Sequence, residues 1–354
     1  MLYLTRTESG QWANLGSEIA AQKAAPFDLQ GKIRAELIPC FRCYAGGVLM
    51  SQGLEDLGRK WFQAGALEES EGLFFNGFVT SFLERQKGKF VMAEKPFVDP
   101  RPFMHFASVP VLKKSREEFV RQACDSLPRF TKPLRIMDVG CGNGALTADF
   151  LQRLRQVGKA AEVGQILLVD PSAAMVELAV KTVGEVFPPS AIRGVNRSIQ
   201  DFSDTFNESY DVALSSFAYH HLPYEAKLFN LRKLAPWIDH FVLFELNGNN
   251  DLPELNSPDL ALSIFQLYGR VIDWVFSHDA PVELAFAAVD NFLMAEVVSM
   301  LTQPRGRRTD YHALRCQWHD LFRHGLGPEF TCLCDTTTYT EDYLDLFTLH
   351  YGRA

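Results

Sequence analysis

Several features are missing from this chain of 354 residues. No apolar run reaches the roughly 18 residues that a membrane span needs. The most apolar stretch, LALSIFQLYGRVIDWVF, is interrupted by Gln266, Arg270 and Asp273. The first residues, MLYLTRTESGQW, lack the apolar segment of a signal peptide. There is no long basic run, and 35 basic against 43 acidic residues leave a net charge of −8. Binding along a nucleic-acid backbone is therefore disfavoured, and no membrane partner is expected. The seven cysteines are scattered and odd in number, which suits a reducing, cytoplasmic setting rather than a disulfide framework. Cys40-Phe-Arg-Cys43 and Cys332-Leu-Cys334 together offer four zinc thiolates. Cys332 and Cys334, however, alternate on a predicted strand and so point to opposite faces. We read all four as ordinary buried thiols and expect no metal. Internal repeats and low-complexity tracts are absent too.

What is present is apolar material: 47% of the chain is hydrophobic, with 28 Phe, enough for a sizeable core. Residues 1–112 read as mostly helical with loops, from apolar spacing in EIAAQKAA, LEDLGRKWFQAGAL and NGFVTSFLERQ. KPFVDPRPF, with three prolines, reads as a connector. Ser115 and Glu118 form an S-x-x-E capping box, which predicts a helix start there. From Pro133 the texture changes. LRIMDV, QILLVD, SAIRGVN, DVALSSF and HFVLFEL read as strands, and helical patterns separate them. This alternation implies parallel strands joined by right-handed crossovers. Residues 251–303 then hold two helical blocks apolar on more than one face. The stretch 309–325 reads as a helix, and GPEFTCLCD and YLDLFTLHYG as a terminal β-hairpin.

The first strand ends in Asp138-Val-Gly140-Cys141-Gly142-Asn-Gly144-Ala145. The glycines fit G-x-G-x-x-A, a dinucleotide fingerprint, and also G-x-G-x-G. Asp170 ends the second strand 30 residues after Gly140, where a carboxylate accepts ribose hydroxyls of either NAD or S-adenosylmethionine. Asp138 decides more, because it would repel a pyrophosphate but not the amino group of S-adenosylmethionine. After the third strand come Gln200, Asp201 and Phe202, a carboxylate beside an aromatic, suited to an adenine.

D-V-G-C-G-N-G, L-L-V-D-P-S, Q-D-F, Y-D-V-A-L-S-S-F-A-Y-H-H-L-P and L-R-K-L-A-P-W-(x)3-F-V-L-F-E follow in order over 133–250, with 309–351 closing the pattern. In this the chain resembles the class I S-adenosylmethionine-dependent methyltransferases. The resemblance implies a Rossmann-like α/β fold, a mostly parallel seven-stranded sheet with a C-terminal antiparallel hairpin. It implies S-adenosyl-L-methionine as cofactor and S-adenosyl-L-homocysteine as product. The implied cofactor residues are Asp138 near the amino group, Gly140, Cys141, Gly142 and Gly144 in the loop, and Asp170 with Pro171 at the ribose. Gln200, Asp201 and Phe202 would lie at the adenine, and Ser215 and Ser216 at the methionine end. One departure is visible: P-W-I stands where the family often has P-G-G before the fifth strand.

The acceptor should lie at the carboxyl ends of the fourth and fifth strands, which deliver Tyr219-His220-His221 and Glu245-Leu-Asn247. A His followed by a Glu after the next strand is similar to the pairing in small-molecule O-methyltransferases. His220 matches the place of the base better than His221, and Glu245 would orient its ring. The competing reading is that one of these histidines only packs. Tyr219, Asn247, Arg308, Tyr311 and His312 are the candidate acceptor contacts. The expected organisation is a helical N-terminal region, 1–112, that covers the pocket or dimerises. A core of 113–250 and 304–354 follows, with a helical insertion, 251–303, over the acceptor site. The expected partner is a small lipophilic or aromatic acceptor, methylated at oxygen with a His base; carbon or nitrogen remain alternatives, as does a protein or RNA substrate. A homodimer and a non-catalytic cofactor-binding role also stay open.

Overall fold

A computed structural model describes residues 1–93 and 99–354. Seven strands form one sheet: β1 (Leu134–Val139), β2 (Val163–Asp170), β3 (Ile192–Asn196), β4 (Tyr210–Ser216), β5 (Ile238–Leu246), β6 (Phe330–Thr340) and β7 (Asp345–Arg353). Their order is β3-β2-β1-β4-β5-β7-β6. The first five are parallel, β7 runs antiparallel to β5, and β6 antiparallel to β7. Strand order reverses between β1 and β4. In open α/β sheets a crevice opens there, beyond the carboxyl ends of the strands.

The helices are α1 (Arg6–Gln22), α2 (Ile38–Ser51), α3 (Glu55–Ala66), α4 (Asn76–Arg85), α5 (Pro100–Ser108), α6 (Pro110–Ser126) and α7 (Ala145–Gln156). They continue as α8 (Ala173–Gly184), α9 (Ile199–Thr205), α10 (Tyr224–Leu234), α11 (Pro258–Ser277), α12 (Val282–Ala288), α13 (Met294–Thr302) and α14 (Arg315–Gly325). The central strands are apolar on both faces because both are covered. Ile136, Ile166, Val212 and Val242 share a core with Phe119 of α6 and Phe150 of α7. Met137, Leu167, Ala213 and Phe241 share another with Leu231 of α10 and Trp318 of α14.

The N-terminal helices and the insertion form one helical cap. α2 packs on α11 and α13, Phe75 meets Phe265 edge-on at 5.8 Å, and the Leu2 amide donates to Gln266 Oε1 at 2.9 Å. The two apolar blocks are therefore covered by α1–α4. A π turn, Val289–Leu293, joins α12 to α13 without a break. The continuous helix Val282–Thr302 is long and apolar enough to cross a membrane, contrary to the expectation that no such run exists. Its most apolar window is 67% buried inside the protein, so its apolarity is spent on the cap.

Three local expectations are corrected. Ser115 does not cap a helix: α6 begins at Pro110, and the Ser115 hydroxyl donates to the Val111 carbonyl at 2.8 Å within it. Part of the proline-rich connector lies outside the described residues. The rest starts α5, with Pro100 at its first turn and Asp99 as N-cap, because proline is well tolerated there. The helix expected from 309 starts only at Arg315, and residues 309–314 are irregular.

That irregular segment is tied to the core by buried polar groups. Lys227 of α10 is buried and donates to the Asp251 carboxylate and to the Tyr311 carbonyl. Arg308 donates to the carbonyls of Asn250 (3.1 Å) and Pro253 (2.8 Å). Removing one partner of a buried ion pair leaves the other charge uncompensated. Lys227→Leu should therefore lower the unfolding free energy by about 3–5 kcal/mol. Urea denaturation checks this, and an unchanged midpoint would show that Asp251 finds compensation elsewhere.

Candidate active site

The loops after β1, β2, β3 and β4 open on a single cavity of about 940 Å³, which continues under α5 and the insertion. That is at the upper end for ligand clefts and leaves room for a cofactor and an acceptor together. On its floor the loop after β1 turns through Gly140, φ 80°. A Cβ there would stand 2.1 Å from that of Ala218, so only glycine allows the loops after β1 and β4 to meet. Cys141 and Gly142 follow along the cavity wall. Gly144 faces away from it and forms the left-handed N-cap of α7 against Ala179.

Asp138 and Asp170 both line the cavity. Asp138 Oδ2 accepts the Thr147 hydroxyl, while its buried Oδ1 has no partner. Burial raises its pKa to about 7, against the Thr147 bond and with Asp170 adding to it. Such a group is ionised when a cationic ligand sits beside it. Asp170 accepts the amides of Gly142 (3.1 Å) and Ser172 (2.9 Å), which aims its carboxylate along the glycine loop. Pro171 also lines the cavity. An orphaned carboxylate oxygen, a second carboxylate and a backbone cradle fit the amino group and ribose of S-adenosylmethionine.

After β3 the structure differs from the expected adenine contact. Ser198, Ile199 and Gln200 line the cavity. Asp201 instead lies in the first turn of α9, where Ser198 Oγ accepts its amide (3.1 Å) and donates to its carboxylate (2.8 Å). Phe202 points into the core, 4.9 Å from Phe206. The helical turn started by Ser198 sends position 202 inward. Of the two serines after β4, Ser216 reaches the cavity, whereas the buried Ser215 hydroxyl donates to the Val139 carbonyl at 3.0 Å.

At the other end β4 runs into Phe217, whose φ of 49° is rare for a side chain of this size. The turn brings His220 and His221 to the cavity wall. His220 Nδ1 lies 3.0 Å from Glu245 Oε2, and its Nε2 lies 3.8 Å from Asp310. His221 Nδ1 is 2.9 Å from the same Asp310 oxygen and 3.2 Å from the Thr309 carbonyl. His312 stacks on His220 with ring centres 4.2 Å apart. Glu296, from α13, accepts the Tyr268 hydroxyl at 2.6 Å. His312, Glu296 and Tyr268 also line the cavity.

Burial, and then the neighbouring His221 charge, hold His220 well below the ordinary histidine range, so it is neutral. For His221 burial acts the same way, but Asp310 outweighs it and the pKa rises to about 9. Burial and His220 push His312 down to about 3. The result is a neutral imidazole, held by Glu245, beside a His221–Asp310 ion pair. Two groups, His220–His221–Asp310 and His220–Glu245–His312, bring their ligand-type atoms within 4.8 Å of one another. In each, a histidine Nδ1 already faces a carboxylate. No cysteine belongs to either group among the described residues.

The other proposed acceptor contacts are placed elsewhere. The Tyr219 hydroxyl donates to Asn230 in the core. Asn247 bonds Asp345 (3.2 Å) and the Arg315 amide (2.9 Å). Arg308 serves backbone carbonyls, and the Tyr311 amide donates to the His220 carbonyl at 2.6 Å. These four position the site and do not face the acceptor. Asp310, Glu296 and Tyr268 were missed. A lone carboxylate in the apolar run LMAEVVSML was the signal for Glu296.

Residues 136–236 match the family model of a methyltransferase domain. No curated protein matches the chain. Among solved structures, the chain is similar to magnesium protoporphyrin IX methyltransferase from Synechocystis PCC 6803 with bound SAM, at 15% identity over 71% of this chain and 91% of that one, TM-score 0.40. It is also similar to the plantazolicin methyltransferase BpumL in complex with SAH, at 14% identity over 78% and 100%, TM-score 0.43. A third is the S-adenosylmethionine-dependent methyltransferase SibL in its apo form, at 17% identity over 92% and 72%, TM-score 0.41. The family match spans the strands and loops that build the cavity at the switch point of this sheet, so it is this part of the chain that matches a methyltransferase domain.

Proposed function

We propose that the enzyme methylates an oxygen of a small, largely apolar molecule, with His220 as the proton acceptor. The observation that carries this reading is the neutral His220, held through Nδ1 by Glu245 at the cavity wall. That bond leaves Nε2 to face an acceptor. The apolar lining supports a lipophilic or aromatic body: Phe103, Phe217, Leu246, Val271, Phe292 and Leu293 line the cavity.

S-adenosylmethionine, when bound, supplies an electrophilic methyl on sulfonium sulfur. Asp138 holds the amino group, Asp170 the ribose hydroxyls, and the backbone of 140–142 lets the ligand approach closely. His220 Nε2 takes the proton of the acceptor hydroxyl as the oxygen–methyl bond forms and the carbon–sulfur bond breaks. Glu245 fixes the ring and its tautomer, and with Asp310 it stabilises the imidazolium. The walls from α5 and the insertion exclude water, which would otherwise compete as acceptor and weaken every charge interaction at the site.

Asp170 tests the cofactor half. A carboxylate receiving ribose hydroxyls makes charge-assisted bonds worth roughly 1.5–3 kcal/mol each. Asp170→Ala should weaken S-adenosylhomocysteine at least about tenfold by calorimetry in a protein that stays folded. Unchanged affinity would take Asp170 out of the site.

His220 tests the acceptor half, on an acceptor found by screening hydroxyarenes with labelled cofactor. His220→Ala or His220→Gln should cut turnover by roughly 10²–10⁴, with S-adenosylhomocysteine affinity unmoved. Glu245→Gln should cost less, since Asp310 still faces the imidazolium. The rate should rise with pH as His220 loses its proton. Because burial and His221 lower that pKa, the rise should be complete below the 6.5 of a free imidazole. The plateau should last to about pH 9, where His221 deprotonates. A His220→Ala enzyme within a few-fold of wild type would sink the base role and leave methylation by proximity alone.

A further inference from the structure

The proton-accepting role leaves one polar group at the acceptor end unused. Glu296 is 6% exposed and lines the cavity. It is the one charged residue between Leu293 and Leu301. Its hydrogen-bonding partner is the Tyr268 hydroxyl on Oε2, at 2.6 Å. Burial pushes its carboxyl well above the ordinary range, and Asp310 adds to this. A carboxyl placed so deep, among apolar helices, is costly unless something uses it.

The helix has been adjusted to put it there. The π turn Val289–Leu293 interrupts the α-helical phase just before α13. One residue more or less in a helix rotates all that follows by roughly 100°. With the turn, Phe292, Leu293 and Glu296 all reach the cavity. Glu296 also shares its surroundings with His220. It feels the charges of Asp310, His221 and Glu245, and His220 sits between Glu245 and Asp310. Two polar stations thus lie side by side at one end of an apolar pocket.

We infer that Glu296, braced by Tyr268, determines specificity by sharing a hydrogen bond with a second polar group on the acceptor. The acceptor is then an apolar ring or chain with a hydroxyl or amine next to the hydroxyl that is methylated. This rests on the O-methylation reading above and narrows its substrate class. An acceptor lacking the second group would leave Glu296 desolvated, with Tyr268 as its hydrogen-bonding partner and nothing from the acceptor. Sites built to hydrogen-bond a substrate group reject analogues lacking it by up to about 10⁴–10⁵.

The test uses the full chain with tritiated S-adenosylmethionine and three probes: phenol, catechol and 2-aminophenol. Catechol and 2-aminophenol should exceed phenol in kcat/KM by at least about tenfold. Glu296→Leu should bring the ratio to within about threefold of unity, chiefly by slowing the two-group probes. Glu296→Gln and Tyr268→Phe should fall between, and they keep the test open if the leucine variant does not fold. Unchanged S-adenosylhomocysteine affinity shows that the cofactor half is intact. Equal rates for the three probes, or a preference that survives in all three variants, would overturn the role of Glu296 and leave O-methylation standing. If the cofactor product binds but none of the three probes is methylated, methylation of hydroxyarenes is itself overturned.

Discussion

Charge buried away from water has to be paired, and the acceptor end of this enzyme is organised by that requirement. Three imidazoles and three carboxylates meet there, from the loop after β4, the end of β5, α13 and the segment 309–312. An isolated ion at such a depth costs several kcal/mol, so each group is placed against another. His221 is charged because Asp310 is beside it, and His220 is neutral because it is buried and, after that, because His221 is charged. The pairing also decides the backbone. The amides of Asn250 and Asp251 donate to the His312 carbonyl at 2.8 and 3.0 Å, and the Tyr311 amide to that of His220. A segment giving its main chain to three neighbours cannot also be helical, which is why α14 waits until Arg315.

The cap follows from the same economy of water. A site that holds a neutral imidazole and a desolvated carboxyl must be closed on its open side. α5 and the insertion supply the closure, and α1–α4 cover apolar faces of the insertion. The insertion does more than cover. Tyr268 and Glu296 come from it, so the residues proposed to choose the acceptor lie on α11 and α13 and not at strand ends. The cofactor residues, by contrast, are fixed at strand ends. On the proposed reading, strand-end residues hold the methyl donor while the insertion selects what receives it.

Much of the sheet was legible in the sequence. Buried parallel strands are short apolar runs, and LRIMDV, QILLVD and HFVLFEL can hardly be read otherwise. The glycine loop, Asp138 and Asp170 were legible because they are contiguous with those strands. The pairing of His220 with Glu245 was legible because one follows β4 and the other stands at the carboxyl end of the neighbouring β5. Asp201 and Phe202 were misread, since which side chains of a short helix face the cavity depends on where its cap falls, and here the cap is Ser198. Arg308 was a candidate acceptor contact and serves backbone carbonyls instead, a use that composition cannot reveal. Asp310 and Glu296 were hidden for a different reason. Asp310 acquires its meaning from His220 and His221, about 90 positions away, and Glu296 from Tyr268 and the histidine cluster, which lie on other elements.

The central claim is that His220 is a neutral imidazole whose Nδ1 proton is held by Glu245, with Nε2 free for the acceptor. Nitrogen-15 chemical shifts of the histidine rings report charge and tautomer directly, and need no acceptor. At pH 7 the His220 ring, assigned by comparison with His220→Gln, should be neutral with its proton on Nδ1, while His221 should be an imidazolium. On Glu245→Gln the His220 tautomer should become mixed. An imidazolium at His220, or a proton on Nε2, would contradict the account.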